Sequence, residues 1–240
     1  MGAQWKKDGK IANAAAKGAL VHKLVKEIQV SAKVGDPNPD NNPRLRAAVE
    51  AARKASVSRD TIDRAIRRGA GLDKDAAVYE TVTYEGFTPH KVPVIVECLT
   101  DNRTRTASEI KALFRKGQMG NPGSVAWMFD RVGSVEATHK ETKRDLESDA
   151  IEVGAQNVEP LEKEDVPEGA LGGRFFSDPS DLDQVNKNLS ALGWTISRSE
   201  FGFVPKNLVE LSAEQAKEVV EFLQEIDEND DVHRVYPAIK

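Results

Sequence analysis

The residues of this chain best suited to chemistry are cations placed to meet phosphate. Lys6, Lys7, Lys10 and Lys17 crowd the start of the chain with Trp5 beside them, and Arg44, Arg53, Arg59, Arg64, Arg67 and Arg68 follow. Such a set suits contacts to a polyanion backbone, and an indole beside it suits stacking on a base. Trp5 serves equally well as a plain packing residue. Some of the cations have structural partners: Arg46 and Glu50, Glu50 and Lys54, Asp60 and Arg64, and Asp63 and Arg67 stand four residues apart. Ion pairs at that spacing support a helix by ~0.2–0.5 kcal/mol each. A second cationic pair, Arg103 and Arg105, lies in the polar stretch Thr100 to Thr106, ahead of a helix. Free backbone N–H groups and the helix dipole can hold an anion there. The alternative is a capped turn in which Asp101 pairs with one of the two arginines.

Other chemistries find little support. The four histidines, His22, His90, His139 and His233, fall in unrelated segments. No nucleophile elbow, paired-histidine helix or dinucleotide loop occurs, and the turn Asn121 to Ser124 lacks the Gly-Lys-Ser/Thr ending of a phosphate-binding loop. Cys98, the single cysteine, leaves no disulfide framework or multi-cysteine zinc site and reads as a small core residue. The acidic tract of Glu225, Asp227, Glu228, Asp230 and Asp231 lacks the glycine and terminal glutamate of a calcium loop, and reads as a solvated helix end. The expectation is a protein without catalytic residues, metal, cofactor or small-molecule substrate.

The whole chain of 240 residues has a net charge of −5, which taken alone argues against a nucleic-acid partner. Its distribution reverses that argument. Residues 1–75 hold 16 Lys and Arg against 9 Asp and Glu; residues 76–135 hold 7 against 6; residues 136–240 hold 11 against 24. A basic front joined to an acidic back is the pattern of a polyanion-binding module carried by an acidic one, although mutual attraction or two solvated faces give the same count. The 39% hydrophobic content rules out a wholly disordered chain. No apolar run approaches the ~20 residues of a membrane span. The N-terminal lysines have no apolar stretch behind them, so a cytoplasmic location is expected.

The elements that must position these residues follow from periodicity. Ala14 to Lys33 reads as a helix with Leu20, Leu24 and Ile28 inward and Lys17, Lys23, Lys26 and Lys33 among the polar positions. Asn42 and Pro43 open a second helix to Ala55, and Ser58 caps a third over Arg59 to Arg68. Nothing in the spacing identifies a helix-turn-helix. Strands are expected at Tyr79 to Tyr84, Val92 to Leu99 and Val125 to Phe129, with a turn at Glu85 to Pro89. Thr106 to Glu109 matches a capping box for the intervening helix. Residues 133–204 read β-α-β-β-α-β, the ferredoxin-like order. A strand at Leu208 to Leu211, a helix at Ser212 to Asp227 and a strand at Val232 to Tyr236 follow. The expected fold is α+β, with a basic three-helix domain at 1–75, a discontinuous α/β domain at 76–133 plus 205–240, and an acidic ferredoxin-like domain inserted at 134–204.

Five stretches carry a resemblance. They are Asn42 to Val49, Ile62 to Gly71, Tyr84 to Phe87, Val96 to Arg103 with Arg105-Thr106, and Pro122 to Trp127. The chain resembles the YebC family along its whole length. That resemblance implies a cytoplasmic three-domain protein that regulates transcription by binding DNA. Some members act instead as translation factors on the ribosome, which makes ribosomal RNA the alternative target. The opening Gly2-Ala3-Gln4-Trp5-Lys6-Lys7 departs from the usual family start and resembles a divergent subgroup containing regulators of quorum-sensing genes. The combined expectation places phosphates on the N-terminal bundle, with a second contact at Arg103 and Arg105.

Overall fold

The computed structural model describes residues 14–73 and 78–240. The fold is mixed α+β: helices come first, then two four-stranded antiparallel sheets. Two compact units divide the chain. One takes in the described residues up to Val30 with 67–130 and 203–240; the other takes in 31–66 and 131–202.

The helices α1 (Ala14–Val34), α2 (Pro43–Lys54) and α3 (Arg59–Gly69) lie close to their expected bounds. Asn42 starts α2 by accepting the Leu45 N–H at 3.0 Å, while its amide donates to the carbonyls of Ser31 and Asp36 at 2.9 Å each. One side chain thus stops α1 and begins α2. The turn from α2 to α3 is only Ala55 to Ser58. It closes with the N–H of Val57 on the Ala52 carbonyl and that of Ser56 on Arg53, with Ser56 left-handed at φ 63°. That is the Schellman pattern with a serine where glycine usually stands. The same pattern ends α3, with Gly71 at φ 71°.

In the first unit, β1 (Glu80–Phe87) pairs antiparallel with β2 (Pro93–Thr100). Beyond α4 (Arg103–Leu113), the short β3 (Gln118–Met119) pairs with β1. After α7 (Ala213–Asp227), β8 (Val232–Pro237) pairs with β2, giving the order β3-β1-β2-β8. The apolar run of β2 is buried throughout, and Phe222, Leu223 and Ile226 of α7 and Ile110 of α4 pack into the same core. Each such side chain contributes about 1.5–3 kcal/mol. Cys98 is fully buried, as expected, and burial pushes its thiol up to about 12, with the charges of Asp231 and Glu97 adding to the effect. In the second unit, β4 (Phe129–His139), α5 (Leu146–Val153), β5 (Asn157–Pro160), β6 (Leu171–Ser177), α6 (Leu182–Ala191) and β7 (Thr195–Pro205) form a sheet ordered β5-β6-β4-β7, the ferredoxin-like arrangement. Phe175, Leu189 and Trp194 centre its core.

Four local expectations are corrected. The expected turn at Glu85 is still strand: Gly86 lies where a Cβ would meet the Phe114 ring and the Gln118 carbonyl at 2.5 Å, so its bare backbone admits β3. The chain reverses instead at Thr88 to Val92, with His90 and Lys91 both at positive φ. Val125 to Met128 is not a strand, and β4 begins only at Phe129. The Glu85 carboxylate accepts the N–H groups of Gly123, Val125 and Ala126 at 2.7, 2.9 and 2.8 Å, which winds Ala126–Met128 into one 3-10 turn. Burial alone would raise the Glu85 carboxyl, but those three N–H bonds hold it below its ordinary range. Helix α4 begins at Arg103, not Thr106, because Asn102 accepts the Arg105 N–H at 3.1 Å. Finally, Leu208 to Leu211 supplies a single parallel bridge, Val209 to Ile239, before Ser212 caps α7 with a full capping box.

A larger correction concerns charge. Lys26, read as a polar-face residue, is buried at 3% exposure, and Asp231, read as part of a solvated helix end, is buried at 4%. Lys26 Nζ lies 2.8 Å from both Asp231 Oδ1 and the Asp230 carbonyl. The other oxygen, Oδ2, receives Arg105 Nη2 at 2.7 Å and lies 2.8 Å from Thr106 Oγ1. One turn earlier on α1, Lys23 donates to the Asp227 carbonyl at 2.6 Å; next to Lys26, Glu27 meets His233 Nε2 at 3.0 Å. Leu20, expected inward, is instead half exposed. Desolvation pushes the Asp231 carboxyl up, yet Arg105, Lys26 and Thr106 together draw it down to about 2.

Two outcomes follow from these contacts. Ser56→Gly removes a side chain from a left-handed position that costs L-residues roughly 1–2 kcal/mol, partly offset by the greater freedom of glycine in the unfolded chain. The variant is expected to gain about 0.5 kcal/mol in urea titration. Asp231→Asn strands Lys26 without its buried counter-charge and is expected to lose about 3 kcal/mol, the lower end for a broken buried pair. Because the folded carboxyl is depressed from 3.8 to about 2, its contribution is complete above pH ~4 and is lost as pH falls toward 2. Thermal melts should therefore show a steep acid loss in the parent and a shallower one in Asp231→Asn.

Candidate nucleic-acid interface

The cationic residues fall into three groups. Trp5, Lys6, Lys7 and Lys10 lie outside the described residues, as does the side chain of Lys17. The second group is carried by α2 and α3. Helix α3 buries Ile62 and Ala65, and this inward pair leaves Arg59, Arg64, Arg67 and Arg68 exposed. Arg59 lies 3.7 Å from Asp63, and Arg68 lies 3.4 Å from Asp73. Arg64 Nε is 3.4 Å from the Asp60 carbonyl, a backbone contact, and among the described residues it forms no ion pair. Among the described residues, Arg53 and Arg67 form no ion pair; Arg53, near the end of α2, is exposed, and Arg44, in its first turn, is half-buried. Arg46 donates to the carbonyls of Pro39 and Asp40, not to Glu50 as the four-residue spacing suggests.

Exposed pairs such as Arg59–Asp63 contribute ~0–1 kcal/mol and break easily when a better anion arrives. The α3 guanidinium groups are thus available to phosphate at low cost. The turn entering α3 has only four residues, one more than the expected helix bounds leave, and its positive φ falls on Ser56 and not on a glycine.

The third group differs. Arg105 bridges Asp101 at 3.0 Å and Asp231 at 2.7 Å, which is the capped-turn arrangement for this loop. Arg103 lies 3.7 Å from Glu80 and is exposed. Beside them opens a cleft of about 610 Å³ lined by His22, Lys26, Tyr79, Asp101, Arg105, Glu109 and residues 228–231. Carboxylates outnumber cations along its wall. Burial raises the Tyr79 hydroxyl above its ordinary range, and the charges of Asp101 and Asp231 push the same way. Lys26 Nζ sits 5.3 Å from the centre of the Tyr79 ring. The side chains that sequence reasoning missed are Lys26, Glu27, Asp231 and His233. Their signal was present in α1, where Lys26 and Glu27 stand between Val25 and Ile28 in the apolar run.

Among the described residues no helix is long and apolar enough to cross a membrane. Two family models match the chain: the TACO1/YebC protein N-terminal domain over residues 1–72, and the TACO1/YebC second and third domain over residues 79–239. A probable transcriptional regulatory protein of Pseudomonas syringae pv. tomato is 50% identical over all of this chain and 99% of its own length. A protein of the same description from Bdellovibrio bacteriovorus is 48% identical, with both chains covered in full. The crystal structure of a conserved hypothetical protein from Aquifex aeolicus matches with a TM-score of 0.82 and 37% identity, covering 98% of this chain and 94% of that one. With both family models matched and this identity held end to end, the chain belongs to the TACO1/YebC family.

Proposed function

We propose that this protein is a non-enzymatic nucleic-acid-binding regulator of gene expression, acting as a DNA-binding transcriptional regulator through α2 and α3. The observation that carries this reading is the set of exposed guanidinium groups on α3, reached from α2 across a four-residue turn. Two helices joined so closely can set the second into the major groove while the first meets the backbone. The excess of 16 cations over 9 anions in residues 1–75 supports it, since phosphate contacts supply most non-specific affinity. The description of the relatives as probable transcriptional regulatory proteins supports a regulatory role. In this reading Lys6, Lys7, Lys10, Lys17, Arg44 and Arg53 add phosphate contacts, with Trp5 beside them. Arg103 and the exposed part of Arg105 add a second contact. The domain division at 75, 133 and 204 and a cytoplasmic location belong to the same reading. A role on the ribosome would use the same arginines on ribosomal RNA.

The test measures binding of the full chain to 30-base-pair duplex DNA across a salt series, beside Arg64→Gln/Arg67→Gln/Arg68→Gln. The triple variant should bind duplex at least tenfold more weakly at low salt. Its plot of log affinity against log salt should be shallower by about 2 to 3, at ~0.9 per lost phosphate contact. Lys187→Gln, which removes an exposed cation paired with Asp183, should behave as the parent. Unchanged binding in the triple variant, or equal loss in Lys187→Gln, overturns the assignment. A parent chain that sediments with ribosomes and does not bind duplex replaces DNA with ribosomal RNA.

A further inference from the structure

Trp127 is a large aromatic side chain left 66% exposed on a loop tied down by several hydrogen bonds. Its loop is fixed by Glu85, a carboxylate at 9% exposure that accepts three N–H bonds from Gly123, Val125 and Ala126. Val125, two residues before the indole, is fully buried. The indole N–H donates to the Ser124 carbonyl at 3.2 Å. With its single donor used inside the loop, the ring offers a partner only its π faces. On the other side, the Met128 carbonyl accepts the Lys206 N–H at 2.9 Å, anchoring the chain immediately after the indole.

The surroundings indicate what those faces receive. Residues 117–129 contain no charged side chain, so nothing in the loop repels phosphate once Glu85 is withdrawn into its three N–H bonds. Arg115 and Lys116 run directly into this stretch; Lys116 is paired with Glu225, while Arg115 is exposed and, among the described residues, forms no ion pair. A tryptophan that anchors a protein partner is usually ringed by contacts that exclude water. The loop neighbours exposed here are Asn121, Pro122 and Gly123, which are small or polar. An uncharged, hydrogen-bonded loop bearing one flat aromatic, with an exposed arginine leading into it, is the chemistry of base stacking.

We infer that Trp127 is a stacking platform for an unpaired nucleobase, a binding position separate from the arginines of α3. Bases within a duplex are already stacked on both faces, so the platform selects single strands: an RNA loop or end, or an opened stretch of DNA. The inference goes beyond the duplex-binding reading and does not depend on it.

The experiment uses the full chain with fluorescein-labelled twelve-nucleotide oligouridine, the deoxyuridine counterpart, and a duplex of equal length. Trp127→Ala, Trp127→Phe and Trp127→Leu are compared by anisotropy, and the parent and Trp127→Phe by intrinsic fluorescence. Trp127→Ala should weaken single-strand binding about tenfold, the size of one base–aromatic stack. Trp127→Phe should stay within about threefold of the parent, and Trp127→Leu should fall with the alanine variant, because stacking needs a ring and not merely an apolar surface. Binding should quench tryptophan fluorescence in the parent, and Trp127→Phe should show clearly less of that quenching. Duplex affinity and the salt slope should not change. The two oligomers show whether RNA or DNA is the better source of the base. Unchanged single-strand binding in Trp127→Ala, parent-like binding in Trp127→Leu, or equal loss on duplex would overturn the inference. If the α3 triple variant loses duplex binding while the Trp127 variants behave as the parent, only this inference fails. The converse result removes only the duplex reading.

Discussion

A carboxylate almost wholly withdrawn from water organises the first unit. Isolated burial of the Asp231 charge would be prohibitive, so the surrounding elements must bring compensating groups with good geometry. Lys26 arrives from α1, Arg105 and Thr106 from α4, and Thr100 from the end of β2. The backbone joins in as well, with the Leu99 N–H on the Asp231 carbonyl at 2.8 Å. Asp231 stands between α7 and β8, so a single side chain sets how two helices meet the edge of the β3-β1-β2-β8 sheet. The geometry explains why Arg105 could not be read as a free cation from its loop alone: its strongest partner lies 126 residues away.

Glu85 solves the same problem by a different route, and the difference has consequences. Asp231 is satisfied by side chains from separate elements, so it fixes how elements pack. Glu85 is satisfied by N–H groups of a single loop, so it fixes the shape of that loop. Both carboxyls are drawn below their ordinary range against the opposing push of burial. In each case a sequence that looks locally undecided becomes rigid through one distant acidic residue.

This separates what the sequence discloses from what it conceals. The helices of residues 14–69 were legible because caps and breakers are local: Asn42 with Pro43, and Gly71. The ferredoxin-like order of β4 to β7 was legible from the succession of elements, and Asp145 and Gly154 mark the two ends of α5 by local capping. The misread segments are those whose conformation is set across the sheet. Val125 to Met128 is apolar and reads as strand, but Glu85, forty residues earlier, takes the N–H groups of Val125 and Ala126. Gly86 looks like a turn residue, yet its lack of a Cβ serves the close approach of Phe114. The exposed arginines of α3 were legible as a set because Ile62 and Ala65 define the opposite face. The short turn before them was legible from the helix bounds, but its Schellman closure was not, because the left-handed residue is Ser56.

The buried ion pairs also change how the charge distribution should be understood. Counted by segment, the basic front and acidic back look like two surfaces awaiting separate partners. Lys23 and Lys26 belong to that basic front, yet their charges are met by Asp227 and Asp231 of the acidic back. Part of the asymmetry is therefore internal to one unit and unavailable to any ligand. The cationic surplus in the described part of residues 1–75 shifts accordingly from α1 toward α2 and α3, where the ion pairs are exposed or absent. An exposed Arg–Asp pair exchanges its carboxylate for a phosphate at little cost, whereas Lys26 could do so only by uncovering Asp231. Burial, more than the count of lysines and arginines, decides which cations can face a polyanion.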